Sequence, residues 1–178
     1  MKANGNGWTL SGGVLLSPET TQAAVPLGGS FTRSSYQMRL TVRKLDPSKL
    51  KSTLAVILPV ADNQVSFLLD ASNSKDKEFV TGLSMVDGKI GYDNPDVLRG
   101  EQVKDSDSHE LEITVRLSAR SAQITATLDD RPLYEWTGLP TSLNLVAGYQ
   151  SPAQPLLHLG ATGANWVVSA VKVKRLEK

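Results

Sequence analysis

The chain has 178 residues, with 19 Lys plus Arg against 18 Asp plus Glu, a net charge of +1, and no cysteine. The even charge excludes the concentrated basic field that nucleic acid requires, and the missing thiols exclude disulfide frameworks and thiolate metal sites. The length suits one β domain of the larger kind, able to bury roughly 70% of its unfolded surface.

Residues 1–7, Met-Lys-Ala-Asn-Gly-Asn-Gly, read as a linker or an added start, with a single β-sandwich domain expected over 8–178. They carry no apolar region of the kind a secretory signal has. No apolar run approaches the ~20 residues of a membrane helix, so no membrane partner is expected. Such a start predicts a module cut from a longer protein, with neighbouring domains as partners and an extracytoplasmic location.

Along the chain the dominant signal is period-two alternation. In "YQMRLTVRKL", Tyr36, Met38, Leu40 and Val42 share one face, while Gln37, Arg39, Thr41 and Arg43 share the other. "TLAVILPV" (53–60) and "VSFLLDA" (65–71) are apolar on both faces, which predicts central strands covered on each side. Pro59 should end its strand or sit at a bulge, because it cannot donate to a ladder. In "HELEITVRL", Leu111, Ile113, Val115 and Leu117 alternate with Glu110, Glu112, Thr114 and Arg116. "LSARSAQ" (117–123) then predicts a tight hairpin, "AQITATLDD" a further strand, and Asp129, Asp130 and Arg131 a turn. In "LLHLGA", His158 falls opposite Leu157 and Leu159, and a last strand runs from about Trp166 to Leu176. There Lys172 and Lys174 alternate with Val171 and Val173, the pattern of a strand with one wet face. Counting gives about ten to thirteen short strands, an all-β, two-sheet antiparallel sandwich or jelly roll.

Between the strands lies the polar run from Asp87 to Asp107. Asp87, Asp93 and Asp96, with Asn94, are hard oxygen donors suited to calcium, the one ion considered, although their spacing is not that of an EF-hand loop. Turn chemistry alone asks for the same residues. Tyr92, Asn94 and Arg99 offer an aromatic surface and planar polar groups, the pairing that sugar recognition uses. Tyr149 and Gln150 contribute the same chemistry from a second loop, and Asp62, Asn63 and Gln64 from "VADNQV". Trp136 completes the ligand-binding candidates, against a core placement that its ring area favours; Trp166 is expected in the core.

Catalytic signals are sparse. Asp70, Glu78, Glu110, Glu112 and Glu135 are the carboxylates available for glycoside chemistry. Glu110 and Glu112 lie ~7 Å apart on one strand face, where Arg116 and either Arg39 or Arg43 account for them as cross-strand charge pairs. Two separate histidines, His109 and His158, define neither a zinc site nor a triad. No catalytic residue is assigned.

The turn "Leu-Asp-Asp-Arg-Pro-Leu", coming after "HELEITVRL" and its hairpin, resembles the back-to-back strands of laminin-G-like and concanavalin-A-like jelly rolls. Those domains carry glycine where this chain has Asp130. "GWTLSGGVLLSP", "ILPVADNQVSFLLDA", "GLSMVDGK", "NPDVLRG", "RPLYEW" and "LHLGA" resemble such modules in multidomain bacterial proteins, planctomycete ones especially. A related branch is the 3-keto-disaccharide hydrolase domain (DUF1080), which this chain resembles in outline only. It lacks that branch's Asn-Ser-Gly-(Ile/Val) strand and Gly-Ala-Ile-Tyr segment. The resemblance implies a jelly-roll companion module. Together with the loop chemistry, the expectation is a non-catalytic binding module with carbohydrate as ligand. A hydrolase of the DUF1080 type and a structural or protein-docking domain are the alternatives.

Overall fold

The computed structural model describes residues 7–18, 23–31, 33–49, 52–73, 78–146, 156–163 and 165–177. Fifteen strands follow one another: β1 Thr9–Ser11, β2 Val14–Leu16, β3 Ala23–Ser30, β4 Tyr36–Lys44, β5 Thr53–Val60, β6 Asn63–Asn73, β7 Glu78–Leu83, β8 Met85–Val86, β9 Lys89–Ile90, β10 Leu98–Arg99, β11 His109–Leu117, β12 Ala122–Leu128, β13 Arg131–Gly138, β14 Leu156–Thr162 and β15 Trp166–Arg175. Two single 3-10 turns, Gly91–Asp93 and Pro140–Ser142, are the other regular elements among the described residues. No helix there is long and apolar enough to cross a membrane.

The strands form a seven-stranded sheet, β1-β2-β15-β4-β11-β12-β13, and a six-stranded sheet, β10-β7-β6-β5-β14-β3, with β8 and β9 pairing apart. All the pairings are antiparallel. Alternation decides the layering. Tyr36, Met38, Leu40 and Val42 of β4 and Leu111, Ile113 and Val115 of β11 meet Leu54, Val56, Leu58, Val65, Phe67 and Leu69 of the other sheet in one core. Burying each such side chain stabilises the sandwich by about 1.5–3 kcal/mol. Trp8 and Trp166 lie fully inside this core. The two-sheet antiparallel sandwich expected from the sequence is the fold observed.

Several local expectations hold with their reasons visible. All eight residues of β5 are buried, because Leu145 packs with Ala55 and Ile57 on the face turned away from the core. Pro59, expected to end its strand or sit at a bulge, instead lies within β5 opposite Gln64; it is past Ile57, the last β5 residue paired with β14, so its missing N–H costs no bond on that side. Asp129 and Asp130 have φ of 51° and 62°, the left-handed pair of a type I′ turn joining β12 to β13.

Strands β3 and β7 were not expected. "AAVPLGGS" carries Pro26 and two glycines, but β3 is an edge strand bound only to β14 through two register shifts, where proline is tolerated. A shift also interrupts β6 between Leu68 and Ala71, where Asp70 adopts φ of 50°. This bulge turns Asp70 into the core against Lys44.

Candidate functional site

The polar run after β7 is a folded connection with fixed internal bonds. Asp87, with φ of 50°, opens the β8–β9 turn, and its N–H donates to Ser142 O at 2.9 Å. The Gly91–Asp93 turn is closed by Asn94, whose N–H donates to Gly91 O and whose Oδ1 accepts the Asp96 N–H at 3.1 Å. Arg99 pairs with Glu78 at 2.5 Å and donates from Nη2 to Tyr92 O at 3.1 Å. The Tyr92 ring packs beside Ala71, Val80 and Val97. Tyr92, Asn94 and Arg99 are therefore brought together around one turn.

The other candidates fall elsewhere. Trp136 faces the core, only 7% exposed, with its ring packed over Gly138. Its burial area, rather than a loop position, decides that placement. Asp87, Asp93 and Asp96 are exposed, and among the described residues no three His, Asp or Glu side chains converge as a metal site needs. Tyr149 and Gln150 lie outside the described residues.

The five carboxylates considered for glycoside chemistry all have partners. Arg39 pairs with Glu112 and, at 3.6 Å, with Glu110. Gln37 Nε2 donates to Glu112 at 2.7 Å, and Gln123 Nε2 donates to Glu135 at 2.8 Å. Glu78 holds Arg99, and Asp70 holds Lys44 at 2.7 Å. On the outer face of the seven-stranded sheet Arg39 thus pairs with Glu110 and Glu112, as the alternation of β11 implied, whereas Arg116 makes no ion pair among the described residues.

The outer face of the six-stranded sheet differs in kind. Register places Pro26, His158, Ile57 and Ser66 in one row across β3, β14, β5 and β6. Ala24, Gly160, Ala55 and Leu68 form the next row. Gln64 lies two residues before Ser66 on the same face, ~7 Å away. Ser84 sits beside Ser66, its N–H donating to Ser66 O at 2.8 Å. Gln64, Ser66 and Ser84 are each at most 3% exposed. Yet Gln64 Nε2 and Oε1, Ser66 Oγ and Ser84 Oγ have no hydrogen-bond partner among the described residues. Asn94 Nδ2 shares this condition. Buried polar atoms are nearly always bonded, so a line of unmet donors and acceptors on one face is a chemical signal.

This strip opens at Ser84 into a cavity of about 240 Å3. Tyr92, Gly91 and Ile90 form one wall, Thr53 and Thr162 another, and Leu68 and Ala71 the sheet surface. Its volume lies below the roughly 300–1,000 Å3 typical of small-molecule pockets, so it accommodates one ring rather than an extended chain. The sequence marks Tyr92 as a site residue and Gln64 as a loop residue. The missed signal is phase: Gln64 and Ser66 alternate with core residues Val65 and Phe67 on a strand next to one that is buried on both faces.

Two facing antiparallel sheets with these strand orders make a concanavalin-A-like jelly-roll β-sandwich. Among solved structures the chain is similar to a legume lectin-like domain from Entamoeba histolytica, with TM-score 0.59, 10% identity, and 98% of this chain and 90% of that one covered. It is similar also to the exoplasmic/lumenal domain of VIP36 bound to Ca2+ and Man3GlcNAc, with TM-score 0.58, 11% identity, and 98% and 86% covered. A putative glycosyl hydrolase from Parabacteroides distasonis gives TM-score 0.54 and 12% identity, with 97% and 85% covered. No family model and no curated protein matches the sequence. At these identities the likeness is one of fold.

Proposed function

We propose that the chain is a carbohydrate-binding module that takes a neutral sugar ring in the cavity beside Tyr92, against the outer face of the six-stranded sheet. The observation that carries this reading is Ser84, buried and without a hydrogen-bond partner among the described residues at the cavity wall, with Ser66 and Gln64 continuing the unpartnered row behind it. An amide and two hydroxyls supply donors and acceptors without charge, which matches sugar hydroxyls and disfavours anions. Tyr92 adds an apolar ring for the sugar's C–H face. Among the described residues the cavity lining carries hydroxyls, a phenol and apolar groups without a carboxylate, whereas glycoside hydrolysis uses two flanking carboxylates. That difference supports binding over bond cleavage. Of the structures of like fold, one is a legume lectin-like domain and another an exoplasmic/lumenal domain crystallised with a glycan, which supports the same ligand class and an extracytoplasmic setting.

The test is a glycan array probed with the folded wild type and with Tyr92→Ala and Ser84→Ala, run with calcium and with chelator. Retention of a defined neutral glycan, lost at least tenfold in both variants, is expected. Equal retention with chelator is expected, since the strip recognises hydroxyls directly. Retention that requires calcium would move recognition to the Asp87, Asp93 and Asp96 loop. An array with no retained glycan, or variants that bind like wild type, would overturn the reading.

A further inference from the structure

Lys44 ends β4 on the core side of one sheet, and Asp70 occupies the β6 bulge of the other; both side chains are 0% exposed. Lys44 Nζ lies 2.7 Å from Asp70 Oδ2, 2.7 Å from Glu101 Oε1 and 2.8 Å from Val103 O. The Phe79 and Trp166 rings stand with centroids 5.2 and 5.3 Å from the same nitrogen. Asp70 Oδ1 accepts the Gln102 N–H at 2.7 Å, and Oδ2 accepts the Val103 N–H at 3.0 Å. An amine and a carboxyl are thus held in contact in an aromatic-walled, buried site. A second carboxyl touches the same amine and, at 24% exposed, also reaches solvent. A single ammonium facing two carboxylates leaves uncompensated negative charge in a place where desolvation is costly. Joining the amine to Asp70 removes both fully buried charges and leaves only the one that meets water.

We propose that Lys44 and Asp70 condense into an intramolecular amide bond, with Glu101 as the proton relay. Glu101 takes one proton from the Lys44 ammonium and passes it to Asp70 Oδ2. The freed Nζ lone pair attacks Asp70 Cγ, forming the N–C bond. The Gln102 and Val103 N–H groups hold the two oxygens of the tetrahedral intermediate, as an oxyanion hole does. Glu101 carries a second nitrogen proton to Oδ2, the Cγ–Oδ2 bond breaks, and water leaves. Glu101 ends as the carboxylate it began as, no oxidation state changes, and Oδ1 remains as the amide oxygen. Fixed contact between the reacting groups replaces an activating reagent. The product ties β4 of one sheet to β6 of the other.

Intact-mass spectrometry of the denatured full chain reads this directly. The expected mass is one water below the sequence mass, with tandem spectra of a digest showing a branched peptide that joins Lys44 to Asp70. Glu101→Gln keeps a hydrogen-bonding group but cannot relay the protons, and is expected to show the full sequence mass while still melting cooperatively. If that variant does not fold, the wild-type mass and branched peptide decide alone. Full mass in the wild type after prolonged incubation overturns the proposal. So does a water loss mapped to Asp87–Gly88, where an Asp-Gly turn can close to a succinimide, with Lys44 and Asp70 peptides linear.

Discussion

Gln64→Met is the substitution in which site chemistry and stability should part company. Gln64 is 3% exposed, and neither its Nε2 nor its Oε1 has a partner among the described residues. Burying an unbonded amide costs about 1–3 kcal/mol by mutational measures. Methionine has nearly the same volume and no polar hydrogen or oxygen to desolvate, and such volume-conserving exchanges cost less than about 1.5 kcal/mol in strain. The net expectation is a gain of up to about 2 kcal/mol. At roughly 2–4 °C per kcal/mol for a domain of this size, Tm should rise by up to about 8 °C. Calorimetry of wild type and variant, with the glycan array as the second readout, measures both halves. The variant should be more stable and should lose binding, the exchange of function for stability that unpaired site groups create. A drop in Tm would show that the amide already has a partner, and the argument from unmet groups would fail with it.

Other expectations follow from single features. His109 contacts Asp129 at 2.7 Å through Nδ1 and Asp105 at 2.9 Å through Nε2, so both ring nitrogens donate and the imidazolium is the form held. Burial opposes that charge, but the hydrogen bonds to Asp129 and Asp105 outweigh it and hold the pKa above its ordinary 6.5. A raised folded value gives stabilisation that is full below 6.5 and lost as pH rises through the folded value. The wild-type Tm should therefore fall over that window, while His109→Gln should stay flat in the same scan. Asp130→Gly should add up to about 1 kcal/mol in urea titration, since φ of 62° strains any side chain and suits glycine. Phe67→Ala should cost about 3–5 kcal/mol in the same assay, because this fully buried ring packs edge-on against Tyr134 with centroids 5.9 Å apart.

How much of this could be read in advance depended on whether one side chain period carried the information. β4, β11 and β12 each alternate over seven residues or more, and their faces came out as the sequence implied. β5 declared its double burial through its apolar run. β3 was hidden because Pro26 and its glycines read as a turn, and only an edge position makes them compatible with a strand. Lys44 was hidden by its residue type, although it continues the core phase of Tyr36, Met38, Leu40 and Val42. Asp70 could not be placed at all, since a bulge resets the phase of β6 after Leu68. Within the site, Tyr92, Asn94 and Arg99 were legible as neighbours in one loop. The strip of Gln64, Ser66 and Ser84 needed the pairing of β5 with β6, which no local pattern contains.

The two outer faces now bear on each other. On the seven-stranded sheet, the side-chain groups of Arg39, Glu110, Glu112, Gln123 and Glu135 bond across strands, where each pair adds only about 0–1 kcal/mol and a ligand at these groups would displace an existing partner. On the six-stranded sheet, Gln64, Ser66 and Ser84 are neutral, buried and without partners among the described residues, so a ligand that meets them recovers hydrogen bonds without displacing an existing partner. Affinity should therefore concentrate on that face even though the opposite one carries more polar atoms. Charge reversal at Arg39 or Glu135 should leave glycan retention unchanged, while Ser66→Ala, which touches none of the charged residues, should reduce it. If retention instead tracked the charged face, surface charge and not unmet buried polarity would be the feature that selects the ligand.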